Sequence, residues 1–373
     1  MADRIASVET FVLAGKGTQG AYGAPYGFVV KVTSEDGLTG YGDSDTMPEA
    51  AAAVVDAPYL NGLMSGLRAV LVGTDSSDPR AVWQIMREAT SNWGRDGVTR
   101  HAMAAIDIAL WDIAGKRAGA PVHALLGKMR RDRVEAYASH PLGATLAETA
   151  AFATDLVMRG FPAVKFGWHP LGPDEAGDVA IVRTLREAIG EGIGLMIDGG
   201  MAWDAETAIA RARLFHPFDI GWLEEPLPAY DLAGYEKLKG AAVPIAAGEM
   251  AATYEELSLL MSTRGIDVLQ IDISRVGLTE AMRVAALAER LDIPCVNHTY
   301  SYVLNAAASL HFLAVVHRTA LFECQVTENE IRAALDRDQL PLADGCVAVP
   351  QGPGLGVVID DEVLGTFVKA NSE

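Results

Sequence analysis

Several things are scarce in this chain, and each scarcity excludes a class of function. Only three of 373 residues are cysteine, Cys295, Cys324 and Cys346. Odd in number and widely spaced, they form no redox or zinc pattern, so a reducing cytoplasm is the expected setting. Positive charge is also short: 30 Lys and Arg stand against 49 Asp and Glu, a formal charge of −19. No basic stripe is available to meet phosphates, which argues against nucleic acid as a partner. An anionic small substrate is still allowed, because a bound metal reverses the local sign. No run of about 18 apolar residues suggests a membrane span. The first residues, MADRIASVETFVLA, lack a basic region followed by an apolar one, so no signal peptide is expected. No GxGxxG follows the first strand-like run, which speaks against a dinucleotide-binding sheet.

What is present is enough apolar sequence for a large core, with 50% hydrophobic and 21% charged residues. The length predicts two domains, or a barrel with additions. Residues 4–13, 26–33 and 38–43 read as strands, the last two joined across Asp36-Gly37, a hairpin signal. Between the first two lies GKGTQGAYGAPYG (15–27), Gly-rich and carrying Tyr22 and Tyr26. Such a segment is a linker or a substrate-covering loop. From 47 to 126 the pattern is helical. Ser77-Asp78-Pro79 opens one helix with a cap and an early proline. An Ala-rich helix over 98–119 stops at Gly119, and its Asp107 and Asp112 read as caps or buried hydrogen-bonding groups.

Beyond 131 the pattern changes. Apolar strand-like runs begin near 134, 162, 194, 220, 244, 267, 293 and 320, separated by amphipathic stretches such as 174–190, 204–214, 253–261 and 279–290. Eight strands alternating with helices, at a period of about 25 to 30 residues, predict a (β/α)₈ barrel.

Functional groups in such a barrel sit at the C-terminal ends of the strands. Read in order, those ends supply Lys165, Asp198, Glu224, Glu249, Asp272, His298 and Glu323. Asp198, Glu224 (with Glu225 behind it) and Glu249 are spaced 26 and 25 residues apart, one βα unit each. Three carboxylates converging on one small volume repel, unless a divalent cation sits among them. An oxygen-only ligand set favours Mg²⁺ or Mn²⁺ over zinc. Asp272 and His298 end neighbouring runs, so the carboxylate can fix the imidazole tautomer and make a general base. Lys165 reads as a base or an electrostatic clamp. Glu323, if protonated, can hydrogen-bond an oxyanion.

This ordered set, with the segments AIDIALWDIAGK (105–116), WLEEP (222–226) and QIDISRVG (270–277), resembles the mandelate racemase subgroup of the enolase superfamily. The resemblance implies a modified TIM barrel, (β/α)₇β, with an α+β capping domain. The capping domain is expected over 1–128, the barrel over 129–338, and a returning C-terminal segment over 339–373. It further implies Mg²⁺, one per subunit, and abstraction of the proton α to a carboxylate through a metal-stabilised enediolate. A Lys or His base working with Mg²⁺ is this superfamily's known pattern, so that mechanism comes with the resemblance and is not deduced from the spacing. A small carboxylate substrate, an acid sugar, and a homo-oligomer between dimer and octamer are expected.

Two positions depart from the subgroup. Its strand-two motif has lysines two apart, whereas here Lys165-Phe166-Gly167 ends in glycine, and Gly200 stands where Asn is frequent. With only His298 clearly placed, chemistry on one face is favoured: syn dehydration of an aldonate or aldarate to a 2-keto-3-deoxy sugar acid. A racemase, epimerase or lactone cycloisomerase stays open if Lys165 bends into the space over Gly167. Specificity is expected from the loops 15–27 and 43–48, with Tyr22, Tyr26, Trp168, His169 and Arg275 as candidate contacts.

Overall fold

A computed structural model describes residues 3–15, 26–168, 171–319, 321–327 and 329–369. Tyr22 and His169 lie outside these residues.

The chain begins as an antiparallel meander of β1 (Ile5–Ala14), β2 (Tyr26–Ser34) and β3 (Thr39–Ser44). Asp36-Gly37 makes the turn between the last two, as its residue types demand. There follow α1 (Pro48–Asp56), the small hairpin β4 (Tyr59–Asn61) and β5 (Met64–Ser65), α2 (Leu67–Leu71), α3 (Pro79–Thr90), α4 (Val98–Ala118) and α5 (Val122–Leu126). Asp78 caps α3 by accepting from the Arg80 amide at 3.0 Å. Helix α4 is buried nearly all round, between the meander and the barrel.

The barrel alternates strictly. Its strands are β6 (Arg133–Pro141), β7 (Ala163–Gly167), β8 (Gly194–Asp198), β9 (Trp222–Glu224), β10 (Ile245–Ala247), β11 (Val268–Asp272), β12 (Cys295–His298) and β13 (Phe322–Gln325). Between them run α6 (Leu146–Met158), α7 (Glu175–Ile189), α8 (Ala205–Phe215), α9 (Leu232–Lys237), α10 (Tyr254–Ser262), α11 (Ile273–Leu291) and α12 (Val303–Val315). Eight parallel strands and seven intervening α-helices make (β/α)₇β. Asp174, Asp204 and Thr253 start α7, α8 and α10, each accepting from an amide of the first turn.

The backbone ladder runs from β6 in order to β12, and β13 pairs with β6, Phe322 opposite Ala136. Between β12 and β13 the link is made by side chains. Asn297 Oδ1 accepts from the Glu323 amide at 2.9 Å, and Glu323 Oε2 accepts from the Thr299 amide at 2.7 Å.

Inside the barrel, one apolar residue per strand forms a layer: Tyr137, Ala163, Met196, Trp222, Ala246, Val268 and Val296, with Leu321 against them. Side chains in strands repeat their facing every second residue. The next inward positions are therefore Ser139, Lys165, Asp198, Glu224, Gln270, His298 and Glu323. This apolar plug, worth about 1.5–3 kcal/mol per large buried side chain, is the floor on which the polar groups stand.

After β13 come α13 (Glu330–Asp336), β14 (Leu342–Ala343), β15 (Cys346–Ala348) and α14 (Asp361–Thr366). β15 pairs antiparallel with the start of β6, and the chain then crosses to the meander. There the Lys369 amide donates to Val12 O at 2.9 Å and Lys31 pairs with Asp361 at 2.5 Å. Asp107 and Asp112 act as buried hydrogen-bonding groups. Asp107 accepts from the Thr279 amide (2.9 Å) and hydroxyl (2.6 Å), beyond a break in α11 at Gly277, where φ is 76°. Asp112 accepts from the Leu355 amide at 2.9 Å and Lys116 Nζ at 2.7 Å. No helix among the described residues is long and apolar enough to cross a membrane.

Candidate active site

A cavity of about 210 Å³ opens at the C-terminal mouth of the barrel, under the 43–48 loop. Lys165, Asp198, Glu249, Arg275, His298 and Trp168 are among its walls. Glu224 and Glu323 are fully buried beside it, each against Lys165.

Asp198 and Glu224 end β8 and β9, whereas β10 stops at Ala247 and Gly248 turns the chain before Glu249. Asp198 Oδ1 accepts from the Gly200 amide at 2.9 Å and its Oδ2 from the Trp168 indole at 2.8 Å. Glu224 Oε2 accepts from the Trp222 indole at 2.9 Å and its other oxygen from Lys165. Glu249 Oε2 is buried without a hydrogen-bond partner. Burial and the Glu224 charge push Asp198 up to about 7, and burial raises Glu249 well above the ordinary carboxylate range.

Lys165 occupies the middle of β7, not its end, and Glu323 is the second residue of β13. Both are placed by the inward alternation rather than by strand termination. Lys165 Nζ is 2.8 Å from Glu323 Oε1 and 3.9 Å from Asp198 Oδ2. Burial alone would lower its pKa, but Glu224 and Glu323 outweigh burial and hold it well above its usual value. Gly167 lines the cavity beside Lys165, but the direction its own side chain would take is closed. A Cβ at Gly167 would stand 2.2 Å from the Asp198 carbonyl oxygen, so sheet backbone fills that direction.

His298 Nδ1 lies 2.8 Å from Asp272 Oδ2, which fixes Nδ1 as the protonated nitrogen and leaves Nε2 toward the cavity. Asp272 Oδ1 is held by the Ser274 amide at 2.8 Å and Asn305 Nδ2 at 3.2 Å. Nε2 is 3.6 Å from Glu249 Oε2. Burial lowers the imidazole pKa, yet Glu249, Glu323 and Asp272 together raise it to about 10. Tyr300 stacks on the ring, with centroids 5.8 Å apart.

Of the candidate substrate contacts, Trp168 and Arg275 line the cavity. Tyr26 does not: its side chain is 52% exposed and sits with Met47 and Glu49 at a separate hollow. The reason is geometric, since β2 begins at Tyr26 and its backbone is held by the Tyr302 hydroxyl at 2.8 Å. Asp45, Ser139 and Tyr300 also line the cavity, and sequence reasoning missed all three. Ser139 was legible through the two-residue alternation from Tyr137; Asp45 and Tyr300 are in loops, which carry no such period.

One oxygen or nitrogen from each of Asp45, Asp272 and His298 falls within 4.8 Å of the others. Arg275 ties two of these together, 2.6 Å from Asp45 and 3.6 Å from Asp272, so the group is an ion-pair network. Asp198, Glu224 and Glu249 fit a divalent cation better. They are oxygen donors only, buried, and one of them has an orphaned oxygen.

An eight-stranded barrel with buried carboxylates facing a histidine–aspartate pair at its C-terminal mouth is the architecture of an α/β-barrel enzyme. The comparisons with known proteins narrow this. Residues 19–127 match the mandelate racemase/muconate lactonizing enzyme N-terminal domain, and 148–363 the enolase C-terminal domain-like family. The chain belongs to the mandelate racemase/muconate lactonizing enzyme group of the enolase superfamily. It is 30% identical over 353 residues to D-galactarolactone cycloisomerase of Agrobacterium fabrum, covering 91% of this chain and 90% of that one. It is 33% identical over 361 residues to D-galactonate dehydratase of Xanthomonas euvesicatoria pv. vesicatoria, covering 92% and 91%. A crystal structure of a racemase from Streptomyces coelicolor A3(2) with bound magnesium superimposes with a TM-score of 0.86, at 30% identity over 98% of this chain and all of that one.

Proposed function

We propose that this enzyme dehydrates an acid sugar, an aldonate or aldarate, to a 2-keto-3-deoxy sugar acid, with His298 serving as both base and acid. The observation that carries this reading is the asymmetry across the cavity. One side offers the His298–Asp272 pair at 2.8 Å, while the other offers Lys165 locked between Glu224 and Glu323.

Asp198, Glu224 and Glu249 would hold Mg²⁺, or Mn²⁺ in its place. When bound, that ion supplies Lewis-acid stabilisation of the negative charge that develops on the substrate carboxylate. Glu249, once committed as a ligand, would no longer favour the protonated form of His298. His298 Nε2, as the free base, takes the proton from the carbon α to the carboxylate. Asp272 stabilises the imidazolium that results and keeps the ring oriented. The same Nε2 then gives its proton to the β-hydroxyl, which leaves as water on the same face. The enol that remains tautomerises to the 2-keto acid. Lys165 and Glu323 supply a positive group and a hydrogen-bonding group on the other side.

The similarity to a cycloisomerase supports a second reading, an isomerase in which Lys165 acts on the opposite face. One screen separates the two. Acid sugars are incubated with enzyme and Mg²⁺, scoring 2-keto acids with semicarbazide and α-proton exchange in D₂O by NMR. Keto-acid formation is expected. Exchange with inversion, and no keto acid from any substrate, would sink the dehydratase reading. His298→Asn should abolish turnover and leave Mg²⁺ binding intact.

A further inference from the structure

A second acid, Glu225, stands directly behind Glu224, and the proposed mechanism gives it no part. It is the first residue after β9 and is only 3% exposed. Its amide donates to the Ala246 carbonyl of β10 at 2.9 Å, and its carbonyl accepts from the Met201 amide at 2.7 Å. Its side chain reaches past the end of β10, where Oε1 accepts from the Gly248 amide at 2.9 Å. Met201 lies in the loop just after Asp198, and Gly248 immediately precedes Glu249. One residue therefore ties together the exits of β8, β9 and β10, which carry Asp198, Glu224 and Glu249.

Glu249 is the member that needs this tie. Asp198 and Glu224 end their strands, and their carboxylates accept from indole, amide or ammonium donors. Glu249 stands beyond the end of β10 and its Oε2 has no hydrogen-bond partner, so the turn that carries it sets its place. That turn is held on two sides, by Glu225 at the Gly248 amide and by Arg275 at the Glu249 carbonyl, 2.8 Å away. It is also tight: a Cβ at Gly248 would come 2.6 Å from the Gln270 carbonyl oxygen. Glu225 itself has φ of 35°, a left-handed conformation that glycine or asparagine adopts more readily. A glutamate in that conformation is accounted for by what its carboxylate holds.

Building on the reading of Asp198, Glu224 and Glu249 as cation ligands, we infer that Glu225 is a positioning residue. It fixes Glu249 relative to the other two acids and so suits the platform to a small cation. Mg²⁺ demands near-ideal octahedral geometry at about 2.0–2.1 Å, whereas Ca²⁺ accepts irregular sites at about 2.3–2.6 Å. A Glu249 free to drift therefore costs Mg²⁺ more than Ca²⁺.

The test is calorimetry of Mg²⁺ and Ca²⁺ binding to the full-length protein and two variants, with thermal unfolding to confirm that each is folded. Glu225→Gly keeps the left-handed backbone, and with it the Met201 contact, but removes the acceptor for the Gly248 amide. It should bind Mg²⁺ at least about tenfold more weakly, with Ca²⁺ weakened by no more than about threefold. Glu225→Gln keeps a carbonyl oxygen for Gly248 and should hold both dissociation constants within about threefold of the wild type. Unchanged Mg²⁺ affinity in folded Glu225→Gly overturns the inference and leaves the metal reading standing. Equal losses for the two ions overturn it as well, since a generally loosened protein gives that result. If Glu225→Gly does not fold, a tenfold loss of Mg²⁺ affinity in folded Glu225→Gln, where the acceptor is retained, still overturns it. Failure of the wild type to bind Mg²⁺ removes the metal reading, and this inference with it.

Discussion

Gly167 and Asp198 are paired across β7 and β8 so closely that any side chain on the glycine would collide with the aspartate's own carbonyl oxygen, 2.2 Å from an ideal Cβ. The glycine is thus part of the geometry that holds Asp198. Gly167→Ala should destabilise the fold by about 1–3 kcal/mol, the cost of overpacking, and weaken Mg²⁺ binding. Gly167→Lys should not convert the enzyme to a two-base racemase. Thermal unfolding and magnesium calorimetry check the first, and α-proton exchange with inversion checks the second.

Asp272 holds the His298 ring, and its role in the proposed mechanism should be separable from that of the proposed ligands Asp198, Glu224 and Glu249. Asp272→Asn keeps the shape but removes the charge that stabilises the imidazolium and selects the Nδ1–H tautomer. Turnover should drop by roughly 10³-fold, with Mg²⁺ affinity within about threefold of wild type. A comparable loss of metal affinity would mean that Asp272 supports the platform instead.

Trp168 adopts a left-handed backbone (φ 68°) and donates its indole N–H to Asp198 Oδ2. A cation taking that carboxylate competes with the indole. Magnesium should therefore change the tryptophan emission, and Trp168→Phe should remove most of that change while magnesium still binds by calorimetry. An identical change in Trp168→Phe would place the reporter elsewhere.

Asp107 gives a pH test far from the platform. Burial raises its carboxyl to about 7, despite bonds from Thr279. The folded state therefore keeps a proton that the unfolded chain, with an aspartate near 3.9, has released. Stability should fall as pH rises between about 4 and 7, by up to about 1.4 kcal/mol per pH unit for this one proton. Asp107→Asn should flatten that slope in urea unfolding at stepped pH, while costing about 1 kcal/mol at low pH through the altered Thr279 contact.

The barrel was legible because its strands are short apolar runs at an even spacing, and the helix starts because Asp78, Asp174, Asp204 and Thr253 are good caps. Asp107 and Asp112 were legible for a different reason: acids in an Ala-rich, buried helix have to find donors. Strand ends were read less well. Lys165 and Glu323 are interior strand residues, and what places them is the alternation above Ala163 and Leu321. The crowding at Gly167 was hidden, because a missing side chain in sequence does not reveal whether the space is empty or filled by a neighbour's backbone. Asp45 was hidden too, since its partner Arg275 is 230 positions away and a loop has no period to betray such a pairing.

The seam between β12 and β13 is closed by side chains of residues far along the chain, Asn297 and Glu323. The ring is completed when 322–325 come to rest against 136–139, a contact between segments at opposite ends of the barrel sequence, and such distant contacts form late. Glu323 then accepts from Thr299 and meets Lys165. A nascent chain that has emerged only to α11 carries Asp198, Glu224 and Glu249, but neither the histidine nor the residue that locks the ring. Under the proposed mechanism, competence would therefore arrive with the last strands, and a half-made copy could gather its acids without the base.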